Sequence, residues 1–446
     1  MPRTPVILFA GLLALAQSVV PGAAAARDVV IHAGRLIDGM SKVERQRISI
    51  VIHDDRITAV REGFEPPAPG AELIDLSGQT VLPGLIDAHD HITSTWRPTD
   101  PVRDLATRTN EDDAIEATIS ARNTLQAGFT SIRDVGAATS VVVALKRAIN
   151  NGVIEGPRMW VAGPVLGPTG GHGDSADGLS PRMSNPDWTE SIIDGPDAAR
   201  RTVRQLRREG VDLIKIAPSG GVMSIDDDPA LQLMQDDEIK AVVDTAHGLG
   251  MKVAAHAHGK KAIDRAILLG VDSIEHGSYA DDESYALFKA HGVYLVPTLL
   301  AGEEGLKLAD AHPEQFDPST LRKGHQIVPM LSANLHNAYR AGVKIAFGTD
   351  TFGLSRHGEN AKEFALMVRA GMTPMDAIWA ATHAAADLIG KPEDIGAIAA
   401  GRYADIIAVD GDALTEIRTL EDVRFVMKGG RIVKAEGRCQ RACAAP

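Results

Sequence analysis

The sequence has little positive charge and few aromatic residues. Lys and Arg together number 46 against 59 Asp and Glu, which gives a formal net charge of -13 at pH 7. Because nucleic-acid binding depends on clustered Lys and Arg that contact phosphates, this balance argues against a nucleic-acid partner. Aromatic residues make up only 4% of the chain, but 44% of its 446 residues are hydrophobic. That composition excludes a disordered chain and leaves room for a large core.

Cysteine is nearly absent. Only Cys439 and Cys443 occur, both in the C-terminal stretch "CQRACAAP". An oxidising compartment would permit a small disulfide loop between them, and two free thiols are the equally valid alternative. Neither arrangement would hold the fold together.

Long apolar runs are also absent after residue 26, so no later segment is predicted to span a bilayer. Residues 1–26 combine an early charge at Arg3, the apolar run "VILFAGLLALA" and the small-residue stretch "PGAAAA". This order is typical of a secretory signal peptide, and the run is shorter than the roughly 20 residues of a spanning helix. We predict cleavage near Ala25 or Ala26 and a mature protein that is secreted or periplasmic, with no membrane attachment.

Two kinds of pattern divide the rest of the chain. Residues 27–82 and 391–446 contain short alternating runs such as "ISIVIHDDRITAV" and "VRFVMKGGRIVKAEG". They predict that the two chain ends pair into one small β domain, a β-sandwich. Residues 83–390 instead alternate short apolar runs with segments of helical period, which is typical of parallel strands joined by crossover helices.

The central region contains eight such apolar runs. They are "LPGLIDAHDH", "FTSIRDVG", "RMWVAG", "VDLIKIA", "MKVAAHAH", "VDSIEHG", "VYLVPTL" and "VKIAFGTD". Eight strands alternating with helices are the content of a (β/α)8 barrel, so the predicted fold class is α/β with a TIM-like barrel.

Several of these runs carry residues that bind metals. Because the active site of a barrel forms at the C-terminal ends of its strands, these side chains are expected to converge on one mouth. In the first run, alternate residues of a strand face the same side, so two imidazoles can hold one ion. The residues are His89 and His91 in the first run, Lys215 in the fourth, His256 and His258 in the fifth, His276 in the sixth and Asp350 in the eighth.

Each of these residues also has an ordinary structural interpretation. A single His beside an apolar run is usually a hydrogen-bonded core residue, and Asp350 is in a position to cap the next helix. Lys215 is harder to explain in this way, because an ammonium among aliphatic side chains is costly unless it is paired or neutralised. Their joint occurrence at strand ends favours a metal site.

The motifs "PGLIDAHDH", "LIKI", "AAHAHG", "SIEHG", "FGTD" and "IGAIAAGRYADIIAVDGD" span nearly the whole mature chain. Their order resembles the amidohydrolase superfamily of metal-dependent hydrolases. The chain is most similar to the imidazolonepropionase-like branch, which contains Xaa-Pro dipeptidases and bacterial amidohydrolases that cleave ochratoxin. The resemblance implies a metal-dependent amidohydrolase with two divalent metal ions, usually zinc.

The resemblance also implies roles for the individual residues. His89, His91 and Asp350 would hold one ion, and His256 and His276 the other. Lys215 would bridge both ions as a carbamate formed with carbon dioxide, since a lysine with a lowered pKa is neutral and nucleophilic. His258 is left as a supporting or substrate-facing residue. Asp350 would also act catalytically, accepting the proton of the attacking water and passing it to the leaving nitrogen.

Substrate contacts are expected in the loops after the strands. The resemblance makes His172 in "GPTGGHGD" a contact to the substrate carbonyl or oxyanion, although a His in a Gly-rich loop can simply cap a turn. Gly220 and Gly221 in "APSGGVMS" are candidates to offer backbone N–H groups to a carboxylate, with a tight turn as the alternative. Arg356 and its neighbour His357 are candidates for the substrate carboxylate, although an exposed loop arginine is usually only solvated.

The implied reaction is hydrolysis of a C–N bond in dipeptides or N-acyl amino acids with a free carboxylate and an apolar C-terminal residue such as Phe, Leu or Pro. Ochratoxin A, which would yield ochratoxin α and phenylalanine, fits this description. Two alternatives stay open: a cyclic-amide hydrolase or deaminase on the same scaffold, and an exported metal-binding protein without activity. The resemblance further implies a homo-oligomer, and an octamer is the assembly that it suggests.

Overall fold

The computed structural model describes residues 27–95, 97, 107–180, 182–183 and 189–439. The predicted signal peptide and Cys443 lie outside the described residues, so cleavage and the state of the two cysteines stay predictions. Of the helices in the described ranges, none combines the length and the hydropathy that crossing a membrane requires.

The described chain contains strands and helices in alternation. The strands are β1 Asp28–Leu36, β2 Arg45–His53, β3 Arg56–Glu62, β4 Glu72–Pro83, β5 Leu85–Asp90, β6 Phe129–Asp134, β7 Arg158–Val161, β8 Val165–Leu166, β9 Leu213–Ile216, β10 Lys252–Ala257, β11 Ser273–His276, β12 Tyr294–Val296, β13 Lys344–Ile345, β14 Ile406–Asp410, β15 Val423–Lys428, β16 Arg431–Ala435 and β17 Arg438–Cys439. The α-helices are α1 Asn110–Gln126, α2 Thr139–Asn150, α3 Pro196–Glu209, α4 Asp236–Gly248, α5 Lys260–Leu269, α6 Asp282–His291, α7 Leu299–Ala311, α8 Pro318–Ala341, α9 Lys362–Arg369, α10 Pro374–Trp379 and α11 Ala385–Ile389. A π-helical turn, Ala380–Ala384, joins α10 to α11, and 3-10 turns cover Pro313–Gln315 and Ile417–Glu421.

Both chain ends contribute to one mixed sheet, as the alternating patterns predict. Its strand order is β17-β16-β15-β14-β4-β1-β2-β3, in which β1 pairs parallel with β4 and the other pairs are antiparallel. Apolar side chains from both halves, such as Ile31 and Ile50 on one side and Ile406 and Phe425 on the other, share one buried cluster. This common core makes the two ends a single β domain.

The central region contains the eight predicted barrel strands, β5, β6, β7 and β9 to β13, each at one of the eight apolar runs. Hydrogen bonds close the ring at the two places where the sheets meet. Ala88 N donates to Phe347 O over 2.9 Å between β5 and the segment after β13, and Asp212 N, of the residue just before β9, donates to Val161 O of β7 over 2.8 Å. The structure confirms the predicted α/β fold with a TIM-like barrel and a small β domain.

Helix ends follow local signals in the sequence. Thr109 and Asp112 form a capping box at the start of α1, and Asp317 caps α8, whose first residue is Pro318. Helix α8 stops at Gly342, which adopts the left-handed conformation that glycine tolerates best. The carboxyl ends of the barrel strands share one mouth because neighbouring strands of the barrel run parallel.

Candidate active site

The mouth of the barrel brings seven predicted residues together. Six of them form two groups, and within each group the candidate ligand atoms lie within 4.8 Å of one another. The groups are His89, His91 and Asp350, and His256, His258 and His276. Imidazole nitrogens and a carboxylate are the ligands that zinc and similar divalent ions prefer, so both groups fit a metal ion.

Four of the histidine rings are held by an oxygen at Nδ1, which leaves Nε2 as the nitrogen available to a metal ion. The Nδ1 atoms of His89, His91, His258 and His276 lie 2.7 Å from Glu275 Oε2, 2.9 Å from Gly136 O, 2.7 Å from Ser278 Oγ and 2.7 Å from Thr298 Oγ1, respectively. Hydrogen bonds of this kind fix the orientation of a metal-binding imidazole. The rings are therefore oriented by the protein itself.

His256 is oriented differently from the other four rings. Its Nε2 lies 3.2 Å from Gly220 O, so Nδ1 is the nitrogen left for a ligand. The ring stacks on His172 with centroids 4.2 Å apart and contacts His276 edge-on at 4.6 Å. Burial and the neighbouring rings lower the pKa of His256 well below its ordinary value, which keeps the ring neutral and able to bind a cation.

Lys215 lies on β9 beneath the two groups. It is 2% exposed, and its Nζ has no hydrogen-bond partner among the described residues. Burial lowers the pKa of Lys215 to about 8, against an ordinary value of 10.5. An amine that is buried, unpaired and easily neutralised fits a residue that is modified or that binds a metal-bridging group.

Glu275, which holds His89 from behind, is a functional residue that the sequence motifs did not predict. This carboxylate is fully buried and also accepts hydrogen bonds from Arg133 Nη2 at 2.9 Å and Ser273 Oγ at 2.5 Å. Burial alone would raise the pKa of Glu275, but Arg133 and the His89 hydrogen bond outweigh burial and hold the pKa well below its usual range. An acidic residue inside the apolar run "SIEHG" was the available signal.

Asp87 is the second residue that supports the site from behind. It accepts hydrogen bonds from His89 N at 3.1 Å, from Thr349 Oγ1 at 2.6 Å and from Asn360 Nδ2 at 2.8 Å. It therefore ties the end of β5 to the segment that carries Asp350. This role explains why an acidic residue precedes His89 in a buried run.

Three residues at the site have a left-handed backbone although they are not glycines. His276, Thr298 and Asp350 have φ values of 68°, 53° and 55°. Such conformations cost roughly 1–3 kcal/mol each and persist where the surrounding structure imposes them, often at functional sites. Here they turn two predicted metal ligands, and the threonine that holds one of them, toward the mouth.

The two groups form the floor of a cavity of about 260 Å³. His172 and Lys215 also line this floor. The remaining wall is largely apolar and comes mainly from α7, α8 and the adjoining loops, with side chains such as Leu306, Phe316, Ile327, Val328, Leu331 and Phe352. Among the described lining residues, Lys215 is the only Lys or Arg. The cavity thus joins a polar floor to an apolar chamber, which suits an amide with an apolar side chain.

The loop residues divide into those at the cavity and those away from it. His172 lines the cavity, and burial lowers its pKa to about 4. The Gly221 N–H already donates to Asp227 Oδ1 at 3.0 Å, and a Cβ at Gly221 would lie 2.1 Å from His172 Nδ1. A glycine is therefore required for the close approach of the His172 ring. Gly220 contributes its carbonyl to His256, as described above.

Arg356 and His357 are not brought to the cavity by the described structure. Arg356 is exposed on the loop after Asp350, outside the described lining. His357 is turned inward, with Nε2 3.0 Å from Ser94 O and Nδ1 3.4 Å from Asp90 Oδ1. Its contacts support the backbone near the metal groups.

Comparisons with known proteins agree with this geometry. A model of the amidohydrolase family matches residues 80–433. Ochratoxinase from Aspergillus niger is 33% identical over 454 residues, covering 92% of this chain and 88% of that protein. The crystal structure of a Xaa-Pro dipeptidase with methionine in its active site superposes with a TM-score of 0.87 at 39% identity, covering 92% and 100% of the two chains. A prolidase in complex with N-methylphosphonate-L-proline gives a TM-score of 0.83 at 32% identity, with coverage of 92% and 100%. Family match, fold and metal-ligand groups together place this chain in the amidohydrolase family, as a metal-dependent hydrolase.

Proposed function

We propose that the protein hydrolyses the C–N bond of dipeptides and N-acyl amino acids whose C-terminal residue is apolar, ochratoxin A among them. The observation that carries this proposal is the cavity, in which both metal-ligand groups face an apolar chamber. The relatives support the same substrate class. One is named ochratoxinase, one binds methionine in its active site, and one is a prolidase in complex with N-methylphosphonate-L-proline.

The proposed metal centre holds two zinc ions. His89, His91 and Asp350 would hold one, and His256 and His276 the other, with His258 close enough to join the second group. Two such ions supply polarisation of the scissile carbonyl and a lowered pKa for a water molecule.

We further propose that Lys215 becomes a carbamate by reaction with carbon dioxide. Its burial and its unpaired Nζ support this proposal, because a carbamate would replace a costly ammonium by an anion. The carbamate carries two oxygens, and Lys215 lines the same floor as both groups. The modified side chain would therefore complete the ligands of both ions.

Asp350 is the proposed proton carrier. Its Oδ1 lies 3.1 Å from His91 Nε2 and 3.3 Å from His89 Nε2, on the floor of the cavity. Burial would raise the pKa of Asp350, but the neighbouring histidines outweigh burial and hold the pKa well below its ordinary value, so the group is an anionic carboxylate. We propose that this carboxylate accepts the proton of the attacking water. The same carboxyl would then donate that proton to the leaving nitrogen.

We also propose that the protein is exported after cleavage near residue 26 and that it forms a homo-oligomer. The signal-like composition of residues 1–26 supports export. N-terminal sequencing of the protein recovered from the periplasm or medium tests cleavage, and sedimentation tests the assembly. An intact N-terminus in the cytoplasmic fraction, or a monomer in sedimentation, would contradict the respective proposal.

The central experiment combines elemental analysis of the mature protein with a substrate panel of N-acyl-Phe, Leu-Pro, ochratoxin A and a cyclic ureide. The expected result is one zinc ion for each of the two ligand groups and release of free amino acid from the first three compounds. Asp350→Asn, purified in parallel, is the matched control and is expected to lose turnover. Turnover of the ureide alone would favour a cyclic-amide hydrolase, and metal without turnover would favour a binding protein.

Reconstitution of metal-free protein tests the carbamate. Zinc added with bicarbonate is expected to restore activity faster and more fully than zinc in carbon dioxide-free buffer. Equal recovery in both buffers would contradict a carbamate at Lys215.

A further inference from the structure

A hydrogen-bond network of polar side chains runs from the cavity to helix α8. The chemistry described above does not use it. His172 Nδ1 lies 3.0 Å from Ser224 Oγ, and Ser224 Oγ lies 2.6 Å from Asp227 Oδ1. Lys323 of α8 is the last member of this network, with Nζ 3.4 Å from Asp227 Oδ1 and 3.2 Å from Asp227 O. Lys323 Nζ also donates to the backbone carbonyl of Ser224.

The two charged members of this network are buried. The side chains of Asp227 and Lys323 are 1% and 6% exposed. Burial of such a pair costs desolvation free energy that the attraction between its members often fails to recover. The role of this buried pair is therefore better explained as orienting the loop that carries Ser224 and Asp227 than as stabilising the fold.

The geometry of the network shows which atoms carry the hydrogens that Ser224 and His172 share with their partners. Ser224 Oγ has one hydrogen, and its shortest contact is the carboxylate oxygen of Asp227, which accepts but does not donate. Two donors, the Gly221 N–H and the Lys323 ammonium, approach the same oxygen, as expected of a carboxylate. Because the hydroxyl hydrogen is directed to Asp227, the hydrogen between Ser224 and His172 must belong to His172 Nδ1.

The position of the His172 ring is also restricted by packing. One face stacks on His256, and the ring lies so close to Gly221 that no Cβ would fit between them. With Nδ1 bonded to Ser224, the opposite nitrogen is the one left for a ligand in the cavity that His172 lines.

We propose that Ser224, Asp227 and Lys323 are positioning residues that hold His172 with its hydrogen on Nδ1 and with Nε2 available to the substrate. This proposal rests on the proposed function, because it assigns His172 a task in amide hydrolysis. In this tautomer a neutral His172 accepts a hydrogen bond at Nε2, for example from a substrate N–H. It donates to an oxyanion only after Nε2 has taken up a proton.

A double-mutant cycle on the zinc-loaded protein tests the proposal. The variants are Ser224→Ala, His172→Ala and their combination, assayed for kcat and KM on N-acyl-Phe. Loss of one orienting hydrogen bond is expected to lower kcat about tenfold, with KM within about twofold of the wild type. If Ser224 acts through His172, Ser224→Ala has no further effect in the His172→Ala background. The same tenfold loss in both backgrounds would overturn the proposal.

Two control variants separate positioning from loss of folding. Ser224→Thr keeps the hydroxyl and is expected to restore most of the activity. Ser319→Ala, on the same helix as Lys323 but with its hydroxyl at the exposed surface near Arg322, is expected to match the wild type. Zinc content must be equal in all variants. A Ser224→Thr enzyme as slow as Ser224→Ala would contradict a role for the hydroxyl.

Nitrogen-15 NMR of histidine-labelled protein gives a result that does not depend on turnover. The His172 resonances are identified by their loss in His172→Ala. The expected spectrum has the hydrogen on Nδ1 in the wild type and a shift toward Nε2 in Ser224→Ala. A hydrogen on Nε2 of His172 in the wild type would refute the proposal that this network positions the ring. Failure of the substrate panel would refute the proposed function but leave this result standing.

Discussion

Replacement of Glu275 by Gln tests how the metal site is supported. Glu275 is fully buried and accepts hydrogen bonds from His89, Arg133 and Ser273. The substitution keeps the shape of the side chain but removes its charge and replaces one acceptor oxygen by an NH₂ donor. That donor must face either His89 Nδ1 or the Arg133 guanidinium, both of which need an acceptor.

The expected loss in the free energy of unfolding follows from the burial of Arg133. Arg133 is 2% exposed, so loss of its carboxylate partner leaves a buried charge without compensation. Breaking a buried pair in this way costs about 3–5 kcal/mol in the free energy of unfolding. Loss of the acceptor at His89 Nδ1 also loosens a metal ligand, and changes of this kind lower metal affinity roughly 10- to 100-fold.

Two measurements separate these effects. Urea unfolding of the metal-free protein gives the change in the free energy of unfolding, and zinc competition with a chelator gives the change in affinity. Asp244→Asn is the control, because Asp244 pairs with Lys240 on the exposed face of α4 and is expected to change neither quantity measurably. If Glu275→Gln unfolds within about 1 kcal/mol of the wild type, as a surface pair would, and binds zinc equally well, the reasoning is wrong.

Three further predictions concern other buried groups. Lys215→Ala is expected to reduce bound zinc and to lower kcat by more than the roughly 100-fold that loss of a supporting residue costs; elemental analysis and kinetics check this, and full zinc loading would contradict it. Glu363→Ala removes the buried carboxyl group that accepts from Leu299 N at 3.0 Å and Leu300 N at 2.6 Å, and is expected to lower the free energy of unfolding by about 2 kcal/mol or more, measured in urea. Burial lowers the pKa of Lys428 to about 8 in the folded chain, against an ordinary value of 10.5. The buried positive charge therefore lowers the stability of the fold below pH 8. This loss of stability disappears as the pH rises from 8 to 10.5. Lys428→Met is therefore expected to raise Tm at pH 7, with the difference from wild type narrowing between pH 8 and 10.5; a difference independent of pH would refute this.

The eight barrel strands and the floor of the site were predictable from the sequence. Parallel strands buried on both faces appear as continuous apolar runs, and the eight runs each coincide with a strand. The barrel places the carboxyl ends of its strands at one mouth, so His89, Lys215 and His276 could be assigned to one site although they are far apart in the chain. The pairing of the two chain ends followed from their alternating pattern in the same way.

Contacts across the barrel required the tertiary structure. Glu275 is separated from Arg133 and His89 by 142 and 186 residues, and neither spacing has a period that a sequence pattern can reveal. The exposed position of Arg356 and the pairing of the Gly221 N–H with Asp227 were likewise decided by loop packing.

The sequence by itself determined which strands form and which metal-binding residues end them, because strand burial and side-chain alternation are local properties of the chain. Only the tertiary structure decided what holds those residues in place and what shape of cavity they face. The apolar chamber is built from α7 and α8, and Lys323 of α8 meets Ser224 and Asp227 of a distant loop. Such contacts depend on how helices and loops pack over the mouth, and packing is set by the whole fold rather than by any one segment.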